Sequence, residues 1–107
     1  MCALPVMDKG VERIVSALCA DYERRSCAIR DGRVGHRTEI EYRYLNYKIL
    51  DAARDAVGEC EAEIFIREIG LGTGYAKSGH TFVSESAYKL RKAAVKHSIA
   101  RALHLVD

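Results

Sequence analysis

The chain has 107 residues, 49% of them hydrophobic and 30% charged, with one proline and no tryptophan. This length supports a single domain with one modest core, and the composition argues against a disordered chain or an all-β sandwich. The net charge is +2, yet residues 77–107 carry six cations against two anions, whereas the rest carries eleven against thirteen. Such asymmetry indicates contact with nucleic acid or, equally well, a solvated lysine-rich helix.

Residues 1–7 lack the basic and apolar regions of a signal peptide. No apolar stretch approaches the ~20 residues of a membrane helix. We therefore expect a cytoplasmic protein without membrane contact. The four cysteines form no C-x-x-C pair, so we expect buried or half-buried free thiols, with no metal and no cofactor. They are Cys2, Cys19, Cys27 and Cys60.

The first predicted helix runs from about Asp8 to Ile29, because its apolar residues recur at helical spacing. Asp8 is the expected N-cap, and Asp31-Gly32 ends the helix. The helical stripe comprises Val11, Ile14, Val15, Leu18, Cys19, Tyr22 and Ile29.

The second predicted helix runs from about Thr38 to Val57 and stops at Gly58. A short turn joins it to the first helix, so the two should pack antiparallel over residues 8–57. Interleaved aromatic and basic residues on this helix could stack on nucleic-acid bases. A core or interface role is the favoured interpretation. These residues are Tyr42, Arg43, Tyr44, Tyr47 and Lys48.

Residues 59–69 fit a short amphipathic helix and, less well, a strand that would pair with Thr81-Phe82-Val83. We favour the helix because acidic residues open the segment. The glycine-rich run 70–79 satisfies neither the G-x-G-x-x-G nor the G-x-x-x-x-G-K-[ST] pattern. We interpret it as a flexible connection or a loop against a DNA backbone. No catalytic set is evident, so we do not expect an enzyme.

The last helix is the clearest prediction. Ser84 is a good N-cap, Phe82-Val83 suits a hydrophobic staple, and nothing interrupts residues 85–107. An uninterrupted helix of that length would be about 33 Å long. Its predicted core stripe comprises Tyr88, Val95, Ile99, Ala102 and Val106.

A second face of this helix carries three lysines, small residues and one carboxylate. Lysines suit phosphates or guanine edges, and a carboxylate can accept from a cytosine amino group. Arg91 and Lys92 flank the apolar stripe, where they snorkel or contact phosphates or a partner subunit. The predicted DNA-contacting residues are Lys77, Ser84, Glu85, Ser86, Lys89, Arg91, Lys92 and Lys96.

The segment Phe82-Val83-Ser84-Glu85-Ser86-Ala87-Tyr88-Lys89-Leu90-Arg91-Lys92, continuing to Ile99-Ala100-Arg101-Ala102-Leu103, resembles the C-terminal region of ArpU/RinA-type phage transcriptional regulators. That family is similar to region 4 of sigma factors. The resemblance covers about a quarter of the chain. It implies a helix-turn-helix protein that regulates phage or prophage genes, with Ser84 opening the recognition helix. The chain departs from this pattern because residues 70–81 allow at most one helical turn before Ser84.

We therefore predict an all-α single domain: a small bundle of about four helices with a C-terminal helix-turn-helix-like unit. Residues 59–107 form the DNA-binding half. The expected partner is double-stranded DNA, with RNA polymerase as a further candidate. The long last helix has a seam-like stripe, which predicts a homodimer. The alternative is a helical phage packaging, assembly or protein-interaction module that binds no nucleic acid.

Overall fold

A computed structural model describes residues 7–78 and 83–106. Within these ranges the chain is all helical and has no strand, which confirms the predicted fold class. None of the helices in this part of the chain is long and apolar enough to cross a membrane. The described helices are α1 (Lys9–Ala20), α2 (Tyr22–Arg30), α3 (His36–Val57), α4 (Glu59–Leu71), α5 (Tyr75–Ser78) and α6 (Glu85–Ala102).

The single helix predicted for residues 8–29 is wrong, because the chain breaks at Asp21 into α1 and α2. Asp8 caps α1 as predicted, and its carboxylate accepts a hydrogen bond from the Gly10 amide. The buried guanidinium of Arg25 donates to the Leu18 carbonyl oxygen at 2.8 Å and to the Asn46 side chain at 2.6 Å. This residue thereby ties both helices at the break to α3.

Helix α3 starts two residues earlier than predicted and ends at Val57 as predicted. Gly58 adopts φ = 85°, a conformation that glycine reaches without steric penalty, and α4 begins directly after it. The helix prediction for residues 59–69 is confirmed and the strand alternative is wrong. Thr81 and Phe82, the proposed strand partner, lie outside the described residues. The predicted staple also involves Phe82 and is not described.

Helix α6 is shorter than predicted. Ser84 caps it as expected, but the helix ends at Ala102 rather than near residue 107. His104 adopts a left-handed conformation with φ = 59°. The amide of Leu105 donates back to the Ala100 carbonyl oxygen at 2.8 Å. Leu103, Leu105 and Val106 then fold onto the core instead of extending the helix.

Helix α6 is a central element of the bundle and contacts α1, α3, α4 and α5. Tyr88, Val95 and Ile99 of its predicted stripe are buried. Because other helices of the same chain cover this stripe, the predicted dimer seam on α6 is wrong. The buried hydrophobic core comprises Val15, Cys19, Ala28, Ile49, Ala52, Ala53, Ala62, Phe65, Ile66, Ile69, Tyr88, Val95, Ile99 and Ala100.

Two groups of residues that were expected to be buried lie on the surface of the bundle: two tyrosines of α3 and Cys60. Tyr44 is 63% exposed and Tyr47 is 60% exposed, so neither is a core residue of the monomer. Both lie on the side of α3 that faces away from its buried Ile49 and Ala53. Cys60 is exposed at the start of α4, whereas Cys19 is buried and Cys27 is half-buried.

The connection between α4 and α6 does not confirm the helix-turn-helix unit. Helix α5 has only four residues, which is shorter than the first helix of such a unit. The prediction of a single helical turn around residues 75–78 is confirmed. Gly70, however, belongs to α4 rather than to a flexible loop.

Gly70 lies where α4 meets the end of α1. A Cβ atom added to Gly70 would come within 2.7 Å of the Ala20 backbone. Backbone atoms cannot move aside as the end of a flexible side chain can. The two helices can therefore be this close only while this position carries no side chain.

We expect Gly70→Ala to lower the free energy of unfolding by about 1–3 kcal/mol, because the added methyl group forces α1 and α4 apart. Urea denaturation followed by circular dichroism measures the change. Gly74→Ala is the matched control, since a Cβ atom there meets nothing within 4 Å. Equal stability of the two variants would contradict the close approach.

Candidate nucleic-acid interface

The first two turns of α6 form an exposed helix end. The Ser84 hydroxyl accepts a hydrogen bond from the Ala87 amide at 3.1 Å, so this residue acts as the cap of α6. Glu85, Ser86 and Lys89 are exposed, and the Lys89 ammonium lies 3.5 Å from the Glu85 carboxylate. These residues are sterically free to contact a nucleic acid.

Two of the three lysines predicted on the exposed face are held by tertiary contacts. Lys96 donates to the Glu12 carboxylate of α1 at 2.7 Å. Lys92 donates to the Thr73 carbonyl oxygen at 2.6 Å and lies 5.8 Å from the centroid of the Tyr88 ring. The prediction of one freely exposed row of lysines is therefore wrong. Helical periodicity gives the direction of each side chain but not the neighbouring helix that meets it.

The other predicted contact residues differ in their surroundings. Arg91 donates from one nitrogen to both oxygens of Glu61, at 2.7 and 2.8 Å. It thus bridges α6 to α4 at the surface, although its side chain is 44% exposed. Lys77 is exposed on α5. The predicted residues consequently fall into two groups. Within the described part of the chain, those without such a tertiary contact are Lys77, Ser84, Glu85, Ser86 and Lys89, and those that contact other parts of the chain are Arg91, Lys92 and Lys96.

A buried polar contact sets the position of this helix end. The Tyr88 hydroxyl donates to the Glu68 carboxylate at 2.9 Å and lies 3.3 Å from the Thr73 carbonyl oxygen. The rings of Phe65 and Tyr75 pack against Tyr88 at centroid distances of 5.6 and 5.5 Å. Burial, followed by the contact with Glu68, raises the pKa of Tyr88 to about 12. The hydroxyl therefore stays protonated, and stays a donor, at physiological pH.

The cationic surface continues from α6 onto α1, where sequence analysis placed no site residue. The hydrogen bond from Lys96 and its positive charge lower the pKa of Glu12, and the charges of Lys9 and Lys92 lower it further. Three cations from two helices are thus within electrostatic range of one carboxylate. Arg13 is also exposed on this side of α1, since it lines the same shallow groove as Lys9 and Glu12.

We define the α1/α6 basic face as Lys9, Arg13, Lys89, Lys92 and Lys96. Lys89 belongs to it because it precedes Lys92 and Lys96 by three and seven residues, along one side of α6. Glu12 and Glu85 each pair with one of these five cations, so the face retains a net positive charge. Only tertiary packing brings the α1 residues here, and no local sequence pattern signals it.

Comparison with protein-family models, curated proteins and solved structures gave no match. Clustered ammonium and guanidinium groups on one surface bind phosphates. The described residues contain no group of three or more His, Cys, Asp or Glu side chains that is arranged to hold a metal ion.

We expect Lys96→Met to raise the pKa of the Glu12 carboxyl group towards its ordinary value of 4.5, because Lys96 is the largest cause of its depression. Carbon-detected NMR titration of the glutamate side chains measures this. Methionine keeps much of the aliphatic stem and removes the positive charge together with the hydrogen-bond donor. An unchanged Glu12 pKa would show that the pair does not form in solution.

The same pair gives a pH dependence of stability. The pKa of Glu12 is lower in the folded state than in the unfolded state. Its contribution to the free energy of unfolding is therefore fully present above the unfolded-state pKa, and it is lost as the pH falls through the folded-state pKa. Glu12 is 44% exposed, so solvent screening limits this contribution to under about 1 kcal/mol.

Proposed function

We propose that this protein binds double-stranded DNA through the α1/α6 basic face and the exposed start of α6, and regulates transcription of phage or prophage genes. The observation that carries the proposal is the convergence of cations from α1 and α6 around Glu12. Residues at least 76 positions apart in the sequence supply this one basic surface. A basic side of a single helix would not bring such distant residues together.

Phosphate contacts supply most of the affinity in this proposal. Lys9, Arg13 and Lys89 are exposed and carry flexible side chains that suit a phosphate backbone. Lys96 and Lys92 have protein partners already, but a phosphate competes with Glu12 for the Lys96 ammonium. A protein that neutralises several phosphates loses affinity steeply as salt rises, with a slope of about −0.9 per phosphate.

Contacts to the bases are restricted to the first two turns of α6. Ser86 is small, Glu85 can accept from a cytosine amino group, and Lys89 can donate to a guanine edge. Beyond Lys89 the lysines on the same side of the helix, Lys92 and Lys96, already contact Thr73 and Glu12. Only the N-terminal end of α6 therefore fits a major groove. The start of a recognition helix is also the part that contacts bases in helix-turn-helix proteins.

The role as a regulator rests on the resemblance to ArpU/RinA-type proteins, whose motif coincides with this helix end. RNA polymerase is a further partner that this role implies. A helical assembly or interaction module is the competing function. Such a module would form a defined protein complex whose formation does not depend on DNA. A single titration with DNA therefore distinguishes the two functions.

We expect a mixed-sequence duplex to bind with micromolar or tighter affinity at low salt, measured by fluorescence anisotropy. The double variant Lys9→Ala/Lys89→Ala should bind more weakly on every sequence. It should also flatten the slope of log affinity against log salt by about 2, because two phosphate contacts are lost.

The matched control is Arg67→Ala/Arg101→Ala, which removes two exposed cations outside the α1/α6 basic face. Equal weakening by both double variants would assign the binding to net charge alone and contradict the proposed face. Absence of binding by the wild-type protein at low salt would favour the assembly module.

We also expect Glu12→Gln to tighten DNA binding severalfold at low salt. Glutamine keeps a hydrogen-bond acceptor for Lys96 but removes the carboxylate that competes with a phosphate. The effect should disappear at high salt. Glu61→Gln removes a carboxylate paired with Arg91, outside the face, and should change binding less. Unchanged or weaker binding by Glu12→Gln would exclude Lys96 from the phosphate contact.

A further inference from the structure

Helix α3 carries an exposed apolar stripe that the proposed DNA contact does not use. Ile40 is 54% exposed, and Tyr44 and Tyr47 are 63% and 60% exposed. Their spacings of four and three residues place them on one side of the helix. We define these three residues as the α3 stripe. Such a contiguous group of large apolar side chains is typical of a surface that contacts another protein.

Charged residues extend the stripe at both ends with the same spacing. Arg37 lies three residues before Ile40, and Asp51 lies four residues after Tyr47. Both are exposed. Alternating spacings of three and four residues are the pattern by which one helix packs along another. The extended stripe therefore has a cation at its N-terminal end and an anion at its C-terminal end.

Because the stripe has a cation at one end and an anion at the other, an antiparallel second copy places opposite charges beside each other. If a second copy of α3 lies antiparallel with the two-fold axis near Tyr44, Arg37 of each copy meets Asp51 of the other. The same arrangement brings Glu41 beside Lys48. A parallel arrangement would instead set Arg37 against Arg37 and Asp51 against Asp51. Like charges opposite each other are unfavourable, so the charges favour the antiparallel pairing.

A groove beside the stripe provides room for the second copy. It lies between α2 and α3, has a volume of about 460 Å³, and is lined in part by Ile29, Tyr47 and Leu50. The antiparallel pairing places Ile40 of the second copy opposite Tyr47, at the edge of this groove. Ile40 of the second copy then meets the apolar part of a groove whose lining also includes Ser26, Arg30, Arg43 and Asn46. Two-fold symmetry repeats this contact in both copies.

We propose that a second copy of this chain docks antiparallel on the α3 stripe and forms a two-fold dimer. This surface replaces the predicted seam on α6, which the bundle itself covers. The proposal is independent of DNA binding, because the stripe and the α1/α6 basic face share no residue. In each copy the buried side of α3, including Ile49 and Ala53, stays in the bundle.

The test is sedimentation velocity on the full chain without DNA, over a range of protein concentrations. The wild-type protein should be a dimer at tens of micromolar or below, as an order-of-magnitude expectation for a specific interface. Tyr44→Arg places two like charges at the axis and should raise the dimer dissociation constant at least about tenfold. Leu71→Arg is the control, since Leu71 is 73% exposed at the end of α4 and should have no effect.

A charge exchange tests the antiparallel register. Arg37→Asp and Asp51→Arg should each weaken the dimer, and the double variant Arg37→Asp/Asp51→Arg should restore it, because the pair is re-formed with reversed signs. All of these positions are exposed, and thermal melts should confirm unchanged folding. A monomeric wild-type protein, a dimer insensitive to Tyr44→Arg, or a double variant without rescue would each overturn the proposal. A wild-type protein that is already monomeric and whose DNA affinity falls on Tyr44→Arg would also overturn it, and would assign the stripe to a nucleic-acid contact.

Discussion

The buried contact between the Tyr88 hydroxyl and the Glu68 carboxylate determines how the second half of the chain is arranged. Glu68 is only 6% exposed and Tyr88 only 1%, and a buried carboxylate is costly unless it accepts hydrogen bonds. The tyrosine meets this requirement and at the same time anchors the first turn of α6 to α4. Thr73 and Tyr75 lie beside this tyrosine, and the Thr73 carbonyl oxygen also accepts a hydrogen bond from Lys92. The positions of Ser84 and Lys89 at the surface follow from that anchor.

Anchoring α6 in the centre of the bundle also changes what its cations can do. A helix at the edge of a domain would expose its whole polar side, whereas α6 meets α1 along the row that contains Lys96. The positive charge is retained because α1 brings Lys9 and Arg13 to the same surface. The basic face is therefore a property of two helices. Glu12 balances this charge in part through its hydrogen bond with Lys96.

Local chemistry predicted the elements well, and long-range packing accounts for most of the failures. Ser84 and Gly58 marked helix ends, since capping and positive φ depend on residues a few positions apart. The break at Asp21 was missed because apolar spacing continues across it, and the contact of Arg25 with Asn46 beside the break joins residues 21 positions apart. The Glu12–Lys96 pair joins residues 84 positions apart. The α3 tyrosines were expected in the core or at an interface, and Tyr44 and Tyr47 are not in the core of the monomer, because they lie on the side of α3 that faces away from Ile49 and Ala53.

The proposed dimer determines how two α1/α6 basic faces are placed relative to each other. A two-fold dimer through α3 carries two α1/α6 basic faces whose relation is set by a single axis. If both faces point to one side of that axis, one duplex can contact both, and phosphate contacts from the two copies add in the salt dependence. If they point apart, each copy binds a separate duplex and the salt slope remains that of one face. Because Tyr44 lies outside the basic face, disrupting the axis leaves each face intact. The change in salt slope between dimer and monomer then reports the orientation of the two faces.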